Sequence, residues 1–144
     1  MKEIQQPYIG RFIDEFYPPH DGMLGRLEAQ VREEGLPVAR RDVIALLELI
    51  CQTIKPKQIL EIGTCVGFSA LCMRAACPPN TRITTVDRYE YMIRRAKENF
   101  SAFAADNITL IEGQAGEILP QCRGSYDLIF LDAAKAQYPR LCCR

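Results

Sequence analysis

Two stretches of the sequence carry residue types whose spacing suits chemistry. The first is LEIGTCVGFSA, residues 60–70, in which an apolar run meets Gly63, a second glycine follows at Gly67, and a small residue stands at Ala70. Glycine at such a junction lets the backbone turn sharply and lets a ligand or the sheet approach closely, while alanine lets a helix pack on the strand. Amides of the first helical turn then face any ligand seated there. The spacing is G-x-x-x-G, neither G-x-G-x-x-G nor a phosphate loop ending in G-K-[ST]. Alone, the pair is equally a plain strand-to-helix turn. Asp87 adds to it: this acid closes the next apolar run, RITTVD, 24 residues after Gly63. An acid there accepts hydrogen bonds from ribose hydroxyls, or caps the helix that begins near Tyr89, and the two roles are compatible. Loop and acid together indicate an adenosine-type ligand at the carboxyl ends of the strands. Gly113-Gln114-Ala115, after the third run, would flank its base; read alone it is a simple turn. The second stretch is DLIFLDAAKAQY, residues 127–138. An apolar run delivers Asp132, and Lys135 follows three residues later, so both can face one pocket. The competing reading is an exposed ion pair worth less than about 1 kcal/mol.

The elements that must position these residues are legible in the apolar periodicity. Three helical stripes come first: Tyr8, Ile9, Phe12, Ile13 and Phe16; then Leu24, Leu27 and Val31; then Val43, Leu46, Leu47, Ile50 and Ile54. Pro18-Pro19 stops the first, and Gly35 and Pro37 end the second. Asp42 is placed to cap the third, and Lys55-Pro56 to terminate it. The texture then changes. Strands are predicted over 58–63, 82–87, 107–113 and 126–132. Helices are predicted over 68–76, 89–104 and 115–122, the long one with Met92, Ala96, Phe100 and Phe103 on one face. Such alternation predicts βαβ units and a parallel sheet, and continuous apolar strands predict cover on both faces.

The bulk composition suits this. A chain of 144 residues supports one domain and buries about 70% of its unfolded surface. Zero net charge argues against nucleic-acid binding through bulk charge. The seven cysteines are odd in number and form no C-x-x-C, which indicates a reducing compartment rather than a disulfide framework. Cys142-Cys143 is a vicinal pair that could take a soft metal adventitiously. The N-terminus has no apolar signal core and no run approaches a membrane span, so a cytoplasmic protein with no membrane partner is expected. His20, in YPPHDG, reads as a loop histidine in solvent.

Taken together, ILEIGTCVGFSA, TTVDRYE and DLIFLDAAKAQY resemble the class I S-adenosylmethionine-dependent, metal-dependent O-methyltransferases, the catechol and caffeoyl-CoA O-methyltransferase group with its small bacterial members. The resemblance runs from roughly Pro18 to Tyr138. The glycine loop is shared by many methyltransferases; D-A-A-K-x-Q-Y after a strand is far more specific. The resemblance implies a Rossmann-like α/β fold, a parallel sheet of about four strands in the order 3-2-1-4 with flanking helices and a helical N-terminal segment. By matching position it implies that Glu61, Gly63 and Ser69 line the methionine end of S-adenosylmethionine and that Asp87 holds the ribose. Gln114 and Ala115 would border the adenine. Asp132 would lie near the cofactor and ligate Mg²⁺ or another divalent cation. Lys135 would be the catalytic base, Tyr138 a supporting aromatic, and Ala39 a cofactor contact from the N-terminal segment. A divalent cation would lower the pKa of the acceptor hydroxyl, and a lysine depressed by the cation would take its proton.

The sequence departs from the family at its end. No further strand with an Asp-Asn pair follows, and YPRLCCR, residues 138–144, looks like the product of a frameshift or early stop. The expected organisation is one truncated domain: a helical segment over 1–56, a cofactor-binding core over 57–138 and an aberrant tail over 139–144. The fourth strand would then be a sheet edge, the metal site incomplete and turnover low. The acceptor is open between a small hydroxylated compound and tRNA, for which Arg88, Arg94, Arg95 and Lys97 would supply phosphate contacts unless they are a solvated helix face. A homodimer is open. The competing functions are a non-catalytic cofactor-binding fragment and an NAD-dependent oxidoreductase, the latter opposed by the missing G-x-G-x-x-G.

Overall fold

The apolar run at residues 58–62 forms the first strand, β1 (Gln58–Ile62), which is buried on both faces from Ile59 to Ile62. The structure is a computed structural model and describes residues 7–122 and 124–132. Three helices precede β1: α1 (Pro7–Phe16), α2 (Gly22–Glu33) and α3 (Arg41–Ile54). After it come α4 (Phe68–Ala76), β2 (Arg82–Asp87), α5 (Glu90–Ala102), β3 (Ile108–Glu112), α6 (Ala115–Ile118) and β4 (Leu128–Leu131). The strands form one sheet in the order β3-β2-β1-β4, every pair parallel. Glu61 pairs with Thr85 on one side and Phe130 on the other. Asp127 fixes the start of β4, its carboxylate accepting the backbone N–H groups of Lys57 at 2.7 Å and Gln58 at 3.0 Å.

Strand alternation divides the core between the two faces of the sheet. Ile59 joins the larger cluster with Val31, Ile44, Leu47, Phe68, Leu71 and Phe100. Leu60, Ile62 and Val86 pack on the opposite side with Ala115, Ile118 and Leu119. α5 turns Ile93, Ala96 and Phe100 inward, with Met92 and Phe103 at the margin of the same cluster.

Several helical faces differ from the expectation. α1 keeps Ile9 and Ile13 half-buried and leaves Tyr8, Phe12 and Phe16 exposed. α3 buries Ile44, Leu47 and Cys51 and exposes Leu46 and Ile54. Both helices are apolar on more than one face, so periodicity alone does not choose; packing against α4 selects the Ile44–Leu47–Cys51 side of α3. Asp42 is not the cap of α3. It lies in the first turn, after Arg40, and accepts hydrogen bonds from that guanidinium at 3.2 and 3.1 Å. His20 is also not in solvent: it is half-buried beside Glu28 of α2 and Glu48 of α3. Lys135, Tyr138 and the Cys142-Cys143 pair lie outside the described residues. No helix among the described residues is long and apolar enough to cross a membrane.

Candidate functional site

The carboxyl ends of the four strands come level along one edge through backbone hydrogen bonds. Asp132 N–H donates to the Ile62 carbonyl at 2.9 Å, Gly63 N–H to Val86 at 2.9 Å, and Gly113 N–H to Asp87 at 2.8 Å. This row places Asp132, Gly63, Asp87 and Gly113 side by side. The chain runs outward from β1 to β3 and then returns to β4 on the other side of β1. The strand order therefore reverses between β1 and β4, where open α/β sheets leave a crevice for ligands. Gly63 and Asp132 flank it.

The loop between β1 and α4 is tight for specific reasons. Gly67 N–H closes a turn on the Thr64 carbonyl at 2.8 Å, and the side-chain amide of Asn99 from α5 donates to Val66 at 2.8 Å. Gly67 has φ of +81°, and a Cβ there would sit 2.5 Å from the Phe100 ring. Glycine is thus required by the left-handed backbone and by the approach of α5. The sequence suggested a ligand or the sheet as the close neighbour; the neighbour is Phe100. Gly63 is likewise left-handed, with φ of +104°.

Asp87 organises this loop as well as ending β2. Its carboxylate accepts the N–H groups of Cys65 at 2.8 Å, Arg88 at 2.7 Å and Tyr89 at 3.0 Å. A carboxylate offers about four lone-pair sites, so roughly one is left for an outside donor. The link to Cys65 holds that residue at φ of +49°, an unusual conformation for a non-glycine. One side chain therefore joins the glycine loop, the end of β2 and the approach to α5.

Glu61 lies beneath the loop with no solvent exposure. Ser69 Oγ donates to it at 2.5 Å and Thr85 Oγ1 at 2.6 Å, and the Thr64 and Thr85 hydroxyls are themselves 2.6 Å apart. Burial pushes the Glu61 carboxyl up to about 7; the two hydroxyls oppose that shift, and the negative charges of Asp132 and Asp87 add to it. Desolvation also raises the Asp132 carboxyl. Gln114 precedes α6 and is exposed, while Ala115 begins α6 and packs on Val86 and its neighbours. Ala39 packs at the margin of the larger core cluster, its carbonyl 3.5 Å from the Arg32 guanidinium. On α5, Arg95 is paired with Glu34, and Lys97 with Glu112 at 2.5 Å.

A parallel sheet of this order, with a glycine loop after β1 and an acid ending β2, is the Rossmann-like arrangement that binds adenosine-type ligands. The O-methyltransferase family model matches residues 25–144, and the chain belongs to that family. It is similar to a catechol O-methyltransferase of Niastella koreensis, 29% identical over 137 residues, with 90% of this chain and 62% of that protein covered. A caffeoyl-CoA O-methyltransferase of Stellaria longipes is 32% identical over 102 residues, covering 65% of this chain and 42% of that one. Among solved structures, the S-adenosylhomocysteine-bound methyltransferase of Podospora anserina superposes with a TM-score of 0.86 at 26% identity, covering 98% of this chain and 62% of its own. The chain spans less than two thirds of the length of these relatives.

Proposed function

We propose that this chain binds S-adenosylmethionine along the strand-end row and carries the cofactor-binding part of an O-methyltransferase. The observation that supports this most is the juxtaposition of two left-handed glycine-loop residues, Gly63 and Gly67, with Asp87 at the end of the next strand. The donor set suits the cofactor. Gly63 offers a turn without a Cβ where the methionine end would approach. Asp87 keeps one acceptor site for a ribose hydroxyl. Gln114 and Ala115 border the adenine on the β3 side. Ser69 lies in the first turn of α4 and donates to Glu61, so Glu61 holds Ser69 from below. When bound, the cofactor supplies a methyl group on sulfonium, which passes to an acceptor oxygen as the S–CH₃ bond breaks and the O–CH₃ bond forms. The acceptor's proton must leave to a base, the role the resemblance gives to Lys135.

Metal assistance is a separate matter. Magnesium takes near-octahedral oxygen ligands. Among the described residues at the strand ends, Asp132 is the one carboxylate whose oxygens carry no described hydrogen bond; those of Glu61 and Asp87 are engaged. That donor set alone does not make a magnesium site. For the acceptor we favour a small hydroxylated compound over tRNA, because Arg95 and Lys97 are already paired with carboxylates.

Thermal unfolding of the full chain with S-adenosylhomocysteine and, separately, with NAD tests the reading. A rise in Tm with the first and none with NAD is expected. A rise with NAD alone would replace this function with an oxidoreductase, and no rise with either would remove the cofactor role.

A further inference from the structure

Away from the strand ends, four elements bring metal-ligating side chains to one place. His20 lies between α1 and α2, Glu28 on α2, Glu48 on α3 and Cys72 on α4. His20 Nδ1 is 2.7 Å from Glu28 Oε2, and His20 Nε2 is 2.7 Å from Glu48 Oε1. Cys72 is buried, and its Sγ lies within 4.8 Å of both His20 and a Glu48 carboxylate oxygen. The Tyr17 hydroxyl donates to Glu48 Oε2 at 2.7 Å and is 3.0 Å from His20 Nε2. The histidine is firmly seated. Its ring meets Phe68 edge-on at 5.9 Å, and a Cβ on Gly25 would fall 1.9 Å from the His20 carbonyl oxygen.

We propose that His20 Nε2, a Glu48 carboxylate oxygen and Cys72 Sγ form a binding site for a borderline divalent transition ion of the zinc type. This is distinct from the strand-end row and does not depend on the reading of that row. Nitrogen, carboxylate oxygen and thiolate together are the ligand set of zinc and cobalt, not of magnesium or calcium. Glu28 supplies what a ligating histidine needs on its other nitrogen: a carboxylate that accepts from Nδ1–H and leaves Nε2 to the ion. Arg32 in turn orients Glu28, donating from Nε at 3.1 Å. The Tyr17 hydroxyl or a water completes four ligands.

Charge balance also favours the exchange. Both histidine nitrogens lie 2.7 Å from carboxylate oxygens, so each is placed to carry a proton when no ion is bound. Loading a divalent ion expels the Nε2 proton and the Cys72 thiol proton together, forming metal–nitrogen and metal–sulfur bonds. Two positive charges enter and two leave. The cluster of Glu28, Glu48, Arg32, Arg41, His20, Tyr17 and Cys72 therefore keeps its net charge. Burial and the nearby carboxylates push the Cys72 thiol up, and a cation at Sγ reverses that effect. Ligand atoms around a tetrahedral zinc stand roughly 3.3–3.7 Å apart, so Glu48 must swing away from Nε2 by about half an ångström. The bound ion would clamp the chain before α2 and α3 onto α4, the helix that leaves the glycine loop.

The test is cobalt titration of the reduced, chelator-treated full chain carrying Cys142→Ser and Cys143→Ser, which removes the vicinal thiols. One ion per chain is expected, with a thiolate-to-cobalt charge-transfer band, visible bands of four-coordinate intensity, displacement by zinc and release of both protons. Cys72→Ala should remove the charge-transfer band, His20→Gln should weaken binding, and Glu28→Gln should cost about 10–100-fold in affinity. Circular dichroism identifies the variants that keep the fold, and those decide. Absence of the band in the parent chain, or its persistence in folded Cys72→Ala, overturns the site. Loss of S-adenosylhomocysteine binding with the cobalt spectrum intact would overturn the proposed function and leave this site standing.

Discussion

Glu61 and Glu28 are both almost removed from solvent, at 0% and 4% exposure, yet their neighbours differ in kind. Glu61 has hydroxyls for partners, Ser69 and Thr85, and two acids nearby. Glu28 has His20, Arg32 and Arg41. Burial would raise both carboxyls. In Glu61 it prevails, and the group titrates near neutrality. In Glu28 the hydrogen bonds from His20 and Arg32 overcome it, and the carboxyl lies below the ordinary range. Partner charge, not depth, decides which acid stays ionised. The loop site is thereby left with an adjustable proton and few fixed charges of its own. The N-terminal cluster is a lattice of ion pairs joining the His20 segment, α2 and α3.

The largest effect should come from breaking that lattice. Glu28→Ala leaves His20, Arg32 and Arg41 without their shared acceptor, and urea unfolding should show a loss of about 3–5 kcal/mol. A loss under 1 kcal/mol would mean the cluster is solvated and the contrast with Glu61 is false. The next effect lies in the pH dependence. The folded pKa of Glu61 is raised from 4.5 to about 7, so its contribution to stability is full below pH 4.5 and is lost as pH climbs to 7. At about 1.4 kcal/mol per pKa unit, that loss is about 3 kcal/mol. Glu61→Gln should abolish this part of the slope between pH 4.5 and 7; an unchanged slope would show that Glu61 stays ionised throughout.

Smaller still, Gly67→Ala should cost about 2–3 kcal/mol, from left-handed backbone strain and the collision with Phe100, and should weaken S-adenosylhomocysteine binding by calorimetry. Full stability and full affinity in that variant would show that the loop relaxes freely. The smallest effect belongs to His20. Desolvation alone would lower its pKa, but the hydrogen bonds to Glu48 and Glu28 raise it above 6.5. Its contribution is therefore full below pH 6.5 and is lost as pH rises through the folded pKa. His20→Gln should flatten the decline above pH 6.5, a change of about 1 kcal/mol, readable by chemical unfolding at stepped pH.

The loop site was the more legible of the two regions because its parts are local in sequence. Gly63, Gly67 and Asp87 each sit at the end of an apolar run or the start of a helix, and short apolar runs alternating with helical stripes declare a parallel sheet. Cover on both faces holds for β1 and most of β2, while β3 and β4 expose alternate residues, Ile129 among them. What stayed hidden is what long-range packing supplies. The contact of Phe100 with Gly67 spans 33 residues, and the choice of face on α3 depends on where α4 lies. His20 could not be read because its partners come from three helices. One signal was present: Glu28 falls within the stripe of Leu24, Leu27 and Val31, and an acid on a core-facing stripe requires a buried partner. Gly25, a helical glycine one turn earlier, marked the place where that partner's backbone approaches.

The central claim is that the row of strand ends is the ligand site. The most direct measurement is a two-dimensional ¹⁵N spectrum of the full chain titrated with S-adenosylhomocysteine. The expected result is shifts concentrated at the amides of Gly63, Cys65, Gly67, Arg88, Gly113 and Ala115, with those of α2 and α3 little changed. An absence of shifts, or shifts confined to the helices before β1, would contradict it.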